Sequence, residues 1–259
     1  MINSLAHVNS SAKIAKNVKI DPFTNIHKDV EIGSGTWIGS NVTIMEGARI
    51  GENCRIFPGA VISAIPQDLK FNGEESLVTI GNNTTIRECV TINRGTKASG
   101  NTIIGNDCLI MAYVHIAHDC CLGNNCVIVN NVALGGHVLI GDYAIIGGLS
   151  AVHQFVSIGK HAMISGGSLV RKDVPPFVKV AKEPLSFIGI NALGLRRRGF
   201  NSNKISEIQE IYRQIFQRDN NVSQALKIIK SEFNVSNERN LIIDFIEQSD
   251  RGIIKKPLN

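Results

Sequence analysis

Ile32-Gly33-Ser34-Gly35-Thr36-Trp37-Ile38-Gly39-Ser40-Asn41-Val42-Thr43-Ile44 decides the fold. Three isoleucines stand six residues apart, and the same beat extends in both directions. Upstream it meets Ile26, Ile20, Ile14 and Val8, and downstream it runs through Ile50, Ile56 and Ile62. After a pause it returns at Ile80, Ile86 and Ile92, and after a second pause at Ile104, Ile110, Ile116, Leu122, Ile128 and Leu134. It closes with Ile140, Ile146, Val152, Ile158, Ile164 and Val170. Neither pause breaks the phase: every member occupies a position of the form 6n+2. Four residues after each lies a smaller column, including Thr36, Val42, Ala48, Cys54, Thr84, Cys108, Cys120, Cys126, Ala144 and Ser150. A period of six matches neither the 3.6 of a helix nor the plain alternation of a strand. It fits a short strand, a tight turn and another strand, with the large aliphatic inside and the small residue in a cramped inner slot. Asn and Gly between them tolerate positive φ. Hexapeptide periodicity of this kind is a β-helix signature.

The expected fold class is mainly β, a left-handed parallel β-helix of hexapeptide repeats, in which three repeats close one triangular coil of 18 residues. It is expected over residues 1–183, with a small C-terminal α-helical domain over 184–259. Val174-Pro175-Pro176 punctuates the exit from the repeat, and beyond Pro184 the spacing becomes helical. Ile205, Ile208, Tyr212 and Ile215, then Val222, Leu226 and Ile229, then Leu241, Ile242, Phe245 and Ile246 predict three amphipathic helices. The tail Lys255-Lys256-Pro257 is expected to fray. The chain has 259 residues and a net charge of +5. It shows no charged-then-apolar leader and no apolar run near the roughly 18 residues of a membrane span, so a cytoplasmic protein without an integral membrane segment is expected. The charge permits an acidic partner, while the lack of interleaved aromatics argues against nucleic acid. Of six cysteines, Cys54, Cys108, Cys120 and Cys126 fall in the small inner column, and no paired C-x-x-C spacing is present. No metal and no cofactor are expected.

The chemistry should lie on the outer wall. His115, His118, Asp119, His137, His153 and Gln154 all occupy outward or turn positions. A coil of 18 residues stacks each residue beneath the one 18 later, about 4.8 Å away. His118 therefore lies beneath Gly136 and Gly136 beneath Gln154, while Asp119 lies beneath His137. Such a cluster has three readings: a solvated wall, a zinc site like that of the gamma-class carbonic anhydrases, or a general base oriented by a carboxylate. The pauses, near 63–79 and 97–102, are read as loops leaving the coil, and loops on a rigid scaffold commonly carry function.

The segment His115-Ile116-Ala117-His118-Asp119-Cys120 resembles the catalytic stretch of the UDP-N-acetylglucosamine O-acyltransferases, which open lipid A synthesis. So do Gln67-Asp68-Leu69-Lys70-Phe71, Gly135-Gly136-His137, Val152-His153-Gln154-Phe155 and Arg196-Arg197-Arg198-Gly199-Phe200. The resemblance covers essentially the whole chain. It implies that His118 takes the proton of the sugar 3-hydroxyl, which attacks the thioester of a 3-hydroxyacyl-acyl carrier protein. Asp119 would orient the base and the Gly136 N–H would steady the oxyanion. It further implies that Asp68, Lys70, His115, His137, His153, Gln154, Asn191, Arg197 and Arg198 bind substrate, that Met163 and Gly166, one half-coil above the catalytic wall, measure acyl length, and that the protein is a homotrimer. An N-acyltransferase of the same pathway is the nearest alternative. Departures from the family pattern fall at Asn93, Leu193 and Pro184, where histidine, glutamate and histidine respectively can stand. Lys160, Arg171, Lys172, Lys179 and Lys182 form a basic surface suited to an acidic carrier.

Overall fold

The structure is a computed structural model that describes residues 1–218 and 221–256. Its strands form three sheets of nine, eight and ten, parallel except for the last strand of the third, and through the repeat every third strand joins the same sheet. The first face carries Thr91–Asn93, His115–Ile116, Ala133–Leu134, Ala151–Val152 and Leu169–Val170. The second carries Cys121–Leu122 and Leu139–Ile140, and the third Ile145–Ile146 and Met163–Ile164. Most strands are two residues long because only the 6n+2 aliphatic and its outward neighbour lie flat between turns. Inward residues such as Ile38, Ile56, Ile86, Ile110 and Ile128 are wholly buried, and so is the small column from Val42 through Cys126 to Ala144. Each fully buried aliphatic contributes about 1.5–3 kcal/mol by leaving water. The turns take left-handed backbone at the 6n+5 positions, including Asn41, Asn53, Asn125, Asp119 and His137.

Pairing partners are normally a coil apart, as in His115 with Ala133. Across the first pause Val61 pairs with Thr91, and across the second Val78 pairs with Thr102. Both pauses are thus extruded loops, and both leave from the edge between the first and second faces. That is the edge on which the turns 117–120, 135–138 and 153–156 are stacked. The position of the loops relative to His118 follows from this register alone.

The end of the repeat departs from expectation. Val178–Ala181 still joins the third sheet, and Ser186–Ile190 pairs antiparallel with it, so the residues just past Pro184 form a strand instead of a helix. Four helices follow rather than three: α1 (Ala192–Arg197), α2 (Ser202–Phe216), α3 (Val222–Glu232) and α4 (Asn237–Glu247). Each opens on a side-chain cap, from Asn191, Asn201, Asn221 and Ser236. Phe187, Tyr212 and Phe216 stack at the junction, and the buried Tyr212 hydroxyl donates to the Pro176 carbonyl at 2.5 Å. The tail is also better anchored than its composition suggests. Ile253 bridges to Asp173 and Lys255 to Ser186, while Pro257 lies outside the described residues. Among the described residues no helix is long and apolar enough to cross a membrane.

Candidate active site

His118, Asp119, Gly136 and His137 converge on the edge between the first and second faces. The imidazole of His118 places Nδ1 2.7 Å from Asp119 Oδ2, and His137 Nε2 lies 3.6 Å from the same oxygen. The three rings of His118, His137 and Phe155 climb the edge together, the first pair edge-on at 5.1 Å and the second stacked at 4.6 Å. Phe155 is the next member of the column Asp119, His137, and its ring stacks on His137 without chemistry of its own.

Asp119 is not an outward wall residue as its position suggested: its side chain is 0% exposed. The second loop folds over it. Thr96 donates from its backbone N–H to Oδ1 at 3.0 Å and from its hydroxyl to Oδ2 at 2.7 Å, and the Ser99 hydroxyl also donates to Oδ1. Burial raises the Asp119 carboxyl, but the hydrogen bonds from Ser99, His118 and Thr96 outweigh it and hold the group at about 2. Asp119 is therefore ionised throughout the neutral range. Its contribution to stability is complete above the ordinary carboxyl value of 3.8 and is lost as pH falls through about 2. An ionised acceptor facing Nδ1 requires the proton there, so that in the neutral imidazole the free lone pair is on Nε2 of His118.

Gly136 covers that ring. A Cβ built on Gly136 would meet His118 Cε1 at 2.6 Å and Nε2 at 2.7 Å, so only glycine lets the backbone approach. Its carbonyl accepts from Phe155 N, while its N–H makes no hydrogen bond among the described residues. The contrast with the next edge is informative. There the equivalent N–H groups of Asn82, Asn106 and Asn124 each donate to the side-chain oxygen of Asn106, Asn124 and Asp142 one coil above. At Gly136 the residue above is Gln154, which makes no such bond, and the donor is left without a partner among the described residues.

The other expected site residues are spread more widely. His115 sits one strand before His118, with Nδ1 2.8 Å from the Thr91 hydroxyl, and burial lowers its pKa. His153 and Gln154 are exposed on the same edge. Asp68 and Lys70 are on the first loop, where the Asp68 carboxylate accepts from Lys70 N. Asn93 is buried and ties the loop's start through Nδ2 to the Ile65 carbonyl. Asn191, Arg197 and Arg198 are not brought to His118. Asn191 is buried, capping α1 and donating to the His161 carbonyl. Arg198 lies over the Tyr143 ring at 5.1 Å, with a buried Nη1 that has no partner among the described residues. Tyr143 and His161 stand at the edge between the second and third faces, so these three belong to a different corner of the prism. His161 stacks on Tyr143, and its pKa is lowered to about 4 by burial and by Arg198. Met163 is on the third face, and Gly166 at the edge between the third and first, not on the wall above His118. Leu193 and Pro184 are exposed. In the basic group, Lys160 is paired with Asp142 and Arg171 with Glu183, both at 2.8 Å.

Residues 29–64 and 101–136 match the model of the bacterial transferase hexapeptide, six repeats, and residues 173–254 match that of UDP N-acetylglucosamine O-acyltransferase, domain 2. Over 260 residues the chain is 56% identical to the acyl-[acyl-carrier-protein]--UDP-N-acetylglucosamine O-acyltransferase of Chlorobaculum parvum, covering 100% of this chain and 98% of that one. The chain belongs to the UDP-N-acetylglucosamine O-acyltransferase family. The similarly named protein of a Sulfurihydrogenibium species is 58% identical over 97% of this chain and 93% of its own. A solved relative, the UDP-N-acetylglucosamine acyltransferase of Bacteroides fragilis, superposes with a TM-score of 0.97 at 49% identity, covering 98% of this chain and 100% of that one. The family's left-handed β-helix with C-terminal helices is the fold of this chain.

Proposed function

We propose that this chain transfers a 3-hydroxyacyl group from acyl carrier protein to the 3-hydroxyl of UDP-N-acetylglucosamine, with His118 as general base. The observation that carries the assignment is the imidazole held between a buried, ionised Asp119 on Nδ1 and the backbone of Gly136, which closes over Cε1 and Nε2 and whose N–H is unpaired among the described residues. His118 Nε2 removes the hydroxyl proton as the sugar oxygen attacks the thioester carbonyl. The tetrahedral oxyanion takes a hydrogen bond from Gly136 N–H, in the manner of an oxyanion hole. Collapse breaks the carbon–sulfur bond, and the carrier thiol leaves with the proton returned by His118. Asp119 keeps its charge and stabilises the imidazolium between the two transfers.

The site is completed by a second chain of a homotrimer. The proton acceptor stands at one edge of the prism and Arg198 with Asn191 at another, so they converge only between neighbouring chains. The outward column of the first face carries Thr91, His115 and the small Ala133 and Ala151. That of the third face, Leu109, Val127, Ile145 and Met163, is apolar and half-exposed. Packing one against the other brings a neighbour's Arg197 and Arg198 towards His118, where they suit the nucleotide phosphates. It also brings the neighbour's Met163 and Gly166 to the acyl chain. Asp68 and Lys70 on the first loop, with His115, His137, His153 and Gln154, contact sugar and donor. A cytoplasmic location fits the carrier substrate and the six free thiols.

A zinc site is the second reading with an observation behind it, since His118, Asp119 and His137 offer ligand atoms within 4.8 Å of one another. The Asp119 oxygens already accept four hydrogen bonds, which favours a carboxylate spent on orientation. Purified protein incubated with UDP-N-acetylglucosamine and 3-hydroxyacyl carrier protein is expected to form an O-ester of the sugar at full rate in the presence of a chelator. An amide product, or activity that disappears with the chelator and returns with zinc, would overturn the assignment.

A further inference from the structure

We propose that the second loop is a clamp for the general base, in which Thr96 and Ser99 are positioning residues acting on catalysis through Asp119. Glu74 of the first loop seats that clamp. The proposal rests on the reading of His118 as the base.

Asp119 occupies a turn position whose counterparts in the next two coils, His137 and Phe155, remain partly exposed. Residues of the second loop close over it, Thr96 and Ser99 donating to its carboxylate. The loop is drawn into a ring: a Cβ on Gly95 would lie 2.3 Å from Asn101 N, and Gly100 N donates to the Thr96 carbonyl at 2.7 Å. Inside the ring, Ala98 N donates to the Thr96 hydroxyl oxygen at 3.2 Å, which leaves the hydroxyl hydrogen for Asp119 Oδ2. Ser99 has two acceptors within reach, Asn101 O and Asp119 Oδ1, and the charged one is the stronger.

The consequence is a choice between two histidines. Asp119 Oδ2 is 2.7 Å from His118 Nδ1 and 3.6 Å from His137 Nε2. Two donors on Oδ1 and the Thr96 hydroxyl on Oδ2 fix the carboxylate plane, so that Oδ2 accepts the hydrogen bond of His118 Nδ1 and none from His137. A carboxylate freed from the clamp can swing to His137. His118 then loses the partner that keeps its proton on Nδ1, and with it the free lone pair on Nε2.

Glu74 links this clamp to the loop that carries Asp68 and Lys70. Its Oε1 accepts from Lys97 N at 3.0 Å and its Oε2 from Asn72 N at 2.8 Å. The Arg94 guanidinium lies over the Phe71 ring at 5.6 Å and adds a second tie between the loops. A shift of the first loop is thereby passed to Thr96.

The test is a double-mutant cycle with kcat and KM measured separately. Thr96→Val keeps shape and backbone N–H and removes the hydroxyl. It is expected to lower kcat by about 10- to 100-fold, the range for partners that orient a functional histidine from behind, with KM for the sugar nucleotide unchanged. Thr96→Ser should restore kcat. In an Asp119→Asn background, Thr96→Val and Glu74→Ala should cause no further loss, because both act through the same carboxylate. Wild-type kcat in Thr96→Val, or losses that multiply with Asp119→Asn, would overturn the clamp. Should Thr96→Val fail to fold by thermal melting, Ser99→Ala takes its place in the same cycle with the same expectations. His118→Ala separates the two failures: turnover by that variant sinks the base, whereas a multiplicative cycle with an inactive His118→Ala sinks the clamp alone.

Discussion

His118→Ala is expected to lower acyl transfer by about 10²- to 10⁴-fold or more, the contribution of a positioned general base. The loss should fall on kcat, because the variant keeps the other residues proposed to hold the carrier and the sugar nucleotide. The fold should survive, since His118 lies on an edge and not in the aliphatic column, with its side chain 13% exposed. Asp119 retains its bonds to Thr96 and Ser99 in the variant, so the buried charge is not abandoned. Steady-state rates with matched melting curves check both statements. A folded variant with near wild-type turnover would remove His118 from the mechanism.

Gly136→Ala is the second large effect. The new methyl would fall within 2.7 Å of both Cε1 and Nε2 of His118, inside any real carbon contact. The ring cannot simply slide away, because Nδ1 is tied to Asp119 and His137 stands edge-on at 5.1 Å. Either the imidazole tilts and loses its aim, or the backbone lifts and withdraws the Gly136 N–H. Loss of one oxyanion donor alone costs about 10²–10³ in kcat, and displacement of the base adds to it. UDP-N-acetylglucosamine binding, followed by calorimetry, should change far less than kcat. Equal losses in binding and turnover would assign Gly136 to substrate packing instead of transition-state stabilisation.

Much of this site follows from counting. The 6n+2 column sets the core, and the 18-residue stack puts Gly136 over His118 and His137 over Asp119 before any coordinates. The same counting places Met163 and Gly166 half a coil beyond Gln154, on another part of a three-sided prism. What counting cannot supply is the burial of Asp119, which depends on a loop folding back across the edge. Thr96 and Ser99 carry no chemistry on their own and become meaningful only through the oxygen they hold. The strand Ser186–Ile190 was hidden because Pro184 and the later helical spacing suggested one uninterrupted change of period. Its return along the third sheet is what delivers Asn191 and Arg198 to Tyr143 and His161, at a corner remote in sequence. Placement of the arginines therefore depends on tertiary topology that a local motif does not encode.

Whether one chain's base works on a sugar nucleotide held by its neighbour is decided most directly by mixing subunits. Purified His118→Ala and Arg198→Ala proteins are unfolded together and refolded as mixed trimers, with wild-type protein carried through the same steps. Each variant alone should be nearly inactive. The mixture should regain transfer, because some interfaces then pair an intact His118 with an intact Arg198 from the other chain. A mixture as inactive as its parents, while wild-type protein recovers fully, would contradict a site shared between subunits.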